Sequence, residues 1–275
     1  MNAVRVFKDI NVFHSGFHTR CILLMPLFFL YSFIGVGQVN KRLELNAGLL
    51  VSAERDPGFS PLLFAGTGIS GYAAYSRETE AKSDLVDVFY ARSSLNNRFG
   101  SGMDVHSAGI MVFHFFHDGK EPGKGLHWGW SNNNEFSLRN NESVNNFNNR
   151  FDYVTSFGPA ARFRHPFTLF GRSFSIQAIA HMQLLGFVMQ SSYVSQAPKG
   201  YEVETVGGLD IFRRSVEWFH PGRAWNIGVW PRLQYQLETG NLLSLGYQYG
   251  YSRLDGAHRL TKSRGLWYLG IQAGL

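Results

Sequence analysis

The last eleven residues of the chain, 265–275, alternate between two chemistries. Trp267, Leu269, Ile271, Ala273 and Leu275 share one parity; Gly270, Gln272 and Gly274 share the other with Leu266 and Tyr268. Residues two apart in a β-strand point to the same side. This segment is therefore a strand with one apolar face and one largely small or polar face, and it ends with the chain as given. The pattern recurs along the sequence behind a secretory-type leader, which directs the apolar faces at lipid rather than at a soluble core.

Ten segments carry it. The first is Leu43, Leu45, Ala47, Leu49 and Val51 against Glu44, Asn46 and Ser52, with Leu50 among the latter. The others centre on 63–76, 86–90, 105–117, 126–131, 152–163, 174–184, 225–237, 243–251 and 265–275. Those around Asp87 and His127 read as the shortest, and 105–117 is apolar on both faces. Pro231 lies inside a strand and removes a ladder donor, so a bulge is expected there. Glu238-Thr239-Gly240-Asn241 is a tight turn, whereas 140–150 and 255–264 are longer and polar. The stretch 186–223 forms either a long outer loop or, if 201–213 folds as a hairpin, two further strands. The fold expected is all-β: a closed antiparallel transmembrane barrel of ten strands, or twelve with that hairpin, both even as closure requires.

Composition agrees. Aromatic residues make up 15% and there are 30 glycines, which favours strand, while the charged fraction of 17% falls below that of an ordinary soluble domain. The hydrophobic content of 44% is too low for a bundle of membrane helices, and no stretch of 38–275 is long and apolar enough for one.

Residues 1–37 read as a signal peptide with an extended basic region. Arg5, Lys8 and Arg20 precede the apolar run from Cys21, and Gly35 and Gly37 stand at the −3 and −1 positions of a cut before Gln38. The domain reading is thus a leader, 1–37, and a barrel, 38–275. Cys21 is the single cysteine and falls within the leader, which excludes a disulfide framework and a thiol catalyst from the barrel. The net charge of +6 is spread along the chain and gives no nucleic-acid footprint.

These features together resemble bacterial outer-membrane β-barrel proteins, and in particular the small barrels of Bacteroidetes-type bacteria. The resemblance covers the mature chain and rests on the leader, an end at Gln38, the alternating strands and the C-terminal strand. It implies an outer-membrane location, and the strand directions follow if the C-terminus is periplasmic. Trp225, Tyr249, Tyr251 and Trp267 then gather at the outer ends of three neighbouring strands, as an interface girdle would.

The lumen faces are expected to carry Asp87, Arg162, His181, Arg232, Gln234, Gln248 and Gln272, enough to fill much of a barrel of this size. His127 and Ser131 are similar to the His and Ser of outer-membrane lipid hydrolases. Here they stand four apart rather than two, about 13 Å along one strand, too far for a nucleophile and its base. His106, His114 and His117 lack metal-ligand spacing, so neither metal nor cofactor is expected. The Asn-rich run 132–149 reads as a solvated outer loop or turn-rich strand end. The reading is a non-enzymatic barrel, a narrow passive pore or a structural or assembly partner in the envelope. The alternatives are a lipid hydrolase of deacylase or phospholipase type and a surface glycan-binding or secretion-accessory barrel. Expected partners are outer-membrane lipids and lipopolysaccharide, the barrel-assembly machinery and an envelope protein, with no nucleic acid.

Overall fold

The structure, a computed structural model, describes residues 40–57, 60–117, 124–141, 149–190, 216–255 and 259–275. The leader and the 201–213 hairpin of the sequence reading lie outside these residues. Twelve strands follow in chain order: β1 (Asn40–Asp56), β2 (Ser60–Glu78), β3 (Lys82–Asn96), β4 (Gly102–Phe116), β5 (Gly125–Asn140), β6 (Asn149–Leu169), β7 (Arg172–Gln183), β8 (Leu185–Gln190), β9 (Val216–Phe219), β10 (Ala224–Gln236), β11 (Leu242–Asp255) and β12 (Arg259–Gly274).

Ten of them close a ring. Each of β1 to β5 pairs antiparallel with the next, β5 pairs with β6 and β6 with β7. β7 then pairs with β10, β10 with β11, β11 with β12, and β12 returns to β1. Closure leaves the ring without an unpaired edge that would otherwise template aggregation. β8 and β9 lie outside the ring. β8 continues β7 after Leu184 and pairs with the upper part of β6, and β9 pairs with β8. The sum of paired residue numbers changes by one between β7 and β8, so Leu184 is an extra residue in the ladder. The ten ring strands correspond to the ten segments read from the alternation.

Four details depart from the sequence reading. Residues 259–264, read as part of a longer polar connection, belong to β12 and pair with β11. The strands around Asp87 and His127 are full length, 15 and 16 residues. Asn132 to Asn140 belongs to β5 rather than to a loop. Pro231 produces no bulge: the ladder to β11 skips Trp230 and Pro231 and resumes in the same register at Arg232, while pairing with β7 runs through both. The proline therefore costs local ladder contact on one side without shifting the strand.

At the end carrying the C-terminus, β2 connects to β3 through three residues and β10 to β11 through five. Phe170 and Gly171 alone connect β6 to β7, both with positive φ (51° and 72°), the geometry of a two-residue hairpin turn. Within the barrel Gly228 makes room for His181 on the neighbouring strand: a Cβ at this position would lie 2.1 Å from the imidazole Nε2.

The alternation sorts side chains radially. Leu49, Ile69, Trp128, Trp267 and Leu269 are exposed on the outside. Glu44, Asp87, Ser131, Asp152, Gln183 and Gln234 are buried inside. The segment with two apolar faces, β4, puts Met111, Phe113 and Phe115 inward and leaves Phe116 exposed. The core of this molecule is thus the lumen itself.

Candidate functional site: the barrel lumen

The lumen is layered. Near the strand ends away from the C-terminus, four cations and four carboxylates from four strands interlock. Arg139 pairs with Asp152, and its guanidinium also lies 3.5 Å from Asp56 and 3.9 Å from Glu54. Arg150 donates to Asp56 at 3.1 Å, and Lys262 donates to Asp152 at 2.7 Å. Arg264 reaches Glu135 at 2.8 Å and Glu54 at 3.5 Å. Ser107 and Ser137 complete the layer, accepting from Arg264 at 2.8 Å and from Lys262 at 3.1 Å. Several of these bonds run across the lumen, from β12 to β6 and from β5 to β1, so they act as struts.

The middle layer is apolar. Phe113 stacks on Phe115 at 5.8 Å and meets the edges of Trp230 and His181 at 5.0 and 5.6 Å between ring centres. Tyr72 and Tyr268 pack edge to face at 5.3 Å, and Leu50, Leu85, Met111, Ile179 and Leu266 fill the rest.

Below it, toward the C-terminal end, a second ionic layer centres on Arg232. It donates to Glu44 at 2.7 Å and to Gln177 at 2.8 and 3.2 Å, and Ser244 donates to the same Glu44 at 3.2 Å. Gln234 accepts from Ser175 and lies 3.5 Å from Gln272. Arg162 and Arg164 hold Glu78 at 3.1 and 3.4 Å.

Two separate cavities lie within these layers, and a third space of about 290 Å³ opens at the C-terminal mouth among Arg42, Arg164, Phe167, Gln234 and Leu242. The upper one, about 140 Å³, is bounded by Tyr72, Asp87, His181, Trp230, Gln248 and residues up to Ser252 and Lys262. The lower one, about 40 Å³, lies among Arg42, Glu78, Arg162, Arg164, Arg232 and Gln272. They share no lining residue.

The seven residues expected in the lumen sit as follows. Asp87, Arg162, His181, Gln234 and Gln272 are buried; Arg232 and Gln248 are half-buried. Four line the lower cavity (Arg162, Arg232, Gln234 and Gln272) and three the upper one (Asp87, His181 and Gln248). Of the expected girdle, Trp225 packs on Tyr251 at 5.2 Å, Trp267 packs on Tyr247 at 4.7 Å, and Tyr249 lies 3.5 Å from Ser263.

His127 and Ser131 share the inward face but have different neighbours. The His127 ring lies 4.4 Å from that of His117. The Ser131 hydroxyl donates to the Gly158 carbonyl at 3.4 Å and accepts from Gln183 at 2.8 Å. His106 faces out against Tyr90 at 2.8 Å, and His114 faces out against Asp84 at 2.5 Å. Among the described residues no three His, Cys, Asp or Glu side chains gather as a metal would need.

The sequence reading missed the upper ionic layer altogether. Glu54, Asp56, Glu135 and Arg139 each carry inward parity on a strand, but all four lie beyond the apolar stretch that marked the strand.

A closed ring, apolar outside and polar or ionic inside, is how strands cross a bilayer, because every ladder group is paired within the protein. The fold is that of a transmembrane β-barrel. The outer face meets lipid through Leu43, Leu45, Leu49, Leu245 and Leu269, all exposed.

No protein-family model matches the sequence, and no curated protein does. Solved structures share the shape at low similarity. The attachment invasion locus protein Ail of Yersinia pestis is 10% identical, with a TM-score of 0.36 over 85% of this chain and 99% of its own. The β domain of the Bordetella autotransporter BrkA is 9% identical, with a TM-score of 0.41 over 86% and 98%. The outer membrane protease OmpT of Escherichia coli is 6% identical, with a TM-score of 0.42 over 86% and 97%.

Proposed function

We propose that this barrel is a non-enzymatic, non-conducting structural component of the outer membrane. The observation that carries the reading is the aromatic and aliphatic layer at mid-lumen, formed by Phe113, Phe115, Tyr72, Tyr268 and Trp230, which separates the upper cavity from the lower one. Water and ions have no polar lining to follow through such a layer, and an ion entering it would lose its hydration without replacement. The cross-lumen struts above and below stiffen the wall without offering an unoccupied charged track. On this reading the partners are lipids, including lipopolysaccharide, on the apolar face, the barrel-assembly machinery during insertion, and an envelope protein.

The test is conductance. Purified protein inserted in a planar bilayer is expected to give a flat current, and vesicles carrying it are expected not to swell in small sugars. The triple variant Phe113→Ala, Phe115→Ala, Trp230→Ala removes the layer and is expected to give discrete current steps. Steady open-channel steps from the unaltered protein would refute the proposal.

A further inference from the structure

We propose that the upper lumen cavity is a binding site for a small organic ammonium compound of about the size of benzylamine, with Asp87 as its counter-ion. The cavity measures about 140 Å³. A cavity of roughly that size, ~150 Å³, holds benzene in a protein core. It starts at Asp87, mid-strand opposite Ala74, and extends toward the β11–β12 connection, where Ser252 pairs with Lys262. A ligand therefore enters from the loop end and stops at the aromatic layer.

The chemistry of the walls selects the ligand. Tyr72, Phe89 and Trp230 supply aromatic surface, and Leu50, Met111 and Leu266 supply aliphatic surface. Aromatic faces attract organic cations and pack equally well on the ring of an aryl amine. Four charged side chains line the space. Two are cations, Lys262 and Arg264, and both are committed: Lys262 to Asp152 at 2.7 Å, Arg264 to Glu135 at 2.8 Å. That second bond also engages Glu135. Asp87 differs. It is 6% exposed, its Oδ1 is buried with no hydrogen-bond partner, and no ion pair reaches it among the described residues. The neighbouring cation below, Arg232, donates to Glu44 and Gln177 instead. A buried carboxylate oxygen without a donor is costly, and a primary ammonium brings three donors to it. An anionic ligand would face Asp87 and find no uncommitted cation. The site does not depend on whether the lumen conducts.

The experiment is a fluorine NMR titration of the folded protein in detergent micelles with 4-fluorobenzylamine, 4-fluorobenzyl alcohol and 4-fluorobenzoate, each against empty micelles. Only the amine is expected to bind saturably, with the alcohol and the benzoate weaker by on the order of tenfold or more, as for loss of a hydrogen bond to a charged group. Asp87→Asn is expected to bring the amine down to the level of the alcohol. Ala91→Met, which fills the cavity from the wall without touching the carboxylate, is expected to abolish binding. Folding of each variant is checked by its heat-dependent gel mobility. If Asp87→Asn does not fold, Ala91→Met and the three-ligand series decide alone. Equal binding of benzoate or alcohol, no saturable binding of the amine, or amine binding unchanged in Ala91→Met would each overturn the proposal.

Discussion

Asp152 is the residue on which the upper ionic layer turns, and Asp152→Asn tests whether that layer holds the barrel together. The carboxylate is fully buried and accepts from Arg139 and from Lys262 at 2.7 Å. Four cations and four carboxylates make up the layer, so the substitution leaves it with one net positive charge among buried side chains. Removing one partner of a buried ion pair costs about 3–5 kcal/mol, because the remaining charge stays desolvated. Here two cations lose the same partner, although Glu135, 3.8 Å from Lys262, and Glu54 and Asp56 beside Arg139 compensate in part. The expected loss is therefore about 3 kcal/mol, the lower end of that range. The measurement is urea unfolding of protein refolded into phosphatidylcholine vesicles, followed by tryptophan fluorescence. The double variant Asp152→Asn, Lys262→Met completes the argument: with the orphaned ammonium replaced by an apolar chain, about half of the loss or more is expected to return. A single substitution costing less than about 1 kcal/mol, within the range of exposed pairs, would show that water reaches the layer and that the struts are ornamental. A double variant no better than the single one would show that Lys262 is not what Asp152 neutralises.

The outer face gives a second test. Leu269 is exposed, lies mid-strand on β12 and pairs with Ala47 and Leu245, so Leu269→Arg is expected to cost about 2–4 kcal/mol in vesicles, whereas Arg259→Gln at the rim is expected to change unfolding by less than about 1 kcal/mol despite losing its bond to Asp255. Gly228→Ala is expected to lower stability and to displace His181, read as a shift of its imidazole NMR signals, because the new methyl would occupy the ring's position. His127→Ala and Ser131→Ala are expected to insert normally and to leave any measured phospholipid or lipid A turnover unchanged, since the two side chains have different neighbours. Terminal sequencing of protein recovered from the outer-membrane fraction is expected to begin at Gln38.

How much of this was legible follows from what alternation encodes. A period of two states which side chains face together, and it located all ten ring strands, including the lipid face from Leu43 to Val51 and from Trp267 to Leu275. It weakens where both faces carry the same chemistry. Segment β4 showed no register because Met111, Phe113 and Phe115 fill an apolar lumen layer while Ile110 and Val112 face outward. The opposite failure befell β5: Asn132 and Asn134 were read as turn formers, yet both sit on the outer face, in the ladder beside β6. They are tolerated there because their amides are satisfied laterally. Asn132 donates to the Ser156 carbonyl at 3.1 Å, Asn134 donates to Asn132 at 2.6 Å, and Thr155 and Tyr153 donate to Asn134 at 2.6 and 3.3 Å. A polar group whose bonds are made within the wall costs lipid contact far less than an unpaired one. The lumen was the least legible part for a geometric reason. Alternation says that Glu44, Asp152, Arg232 and Lys262 point inward, but their height depends on the stagger accumulated from strand to strand around the ring. That stagger brings Arg232 to Glu44 and Lys262 to Asp152 across 188 and 110 residues of chain. It also leaves Asp87 without an ion pair while the other lining charges have theirs. The sequence shows each of these residues as one more inward polar position, and only closure of the barrel makes Asp87 the exception.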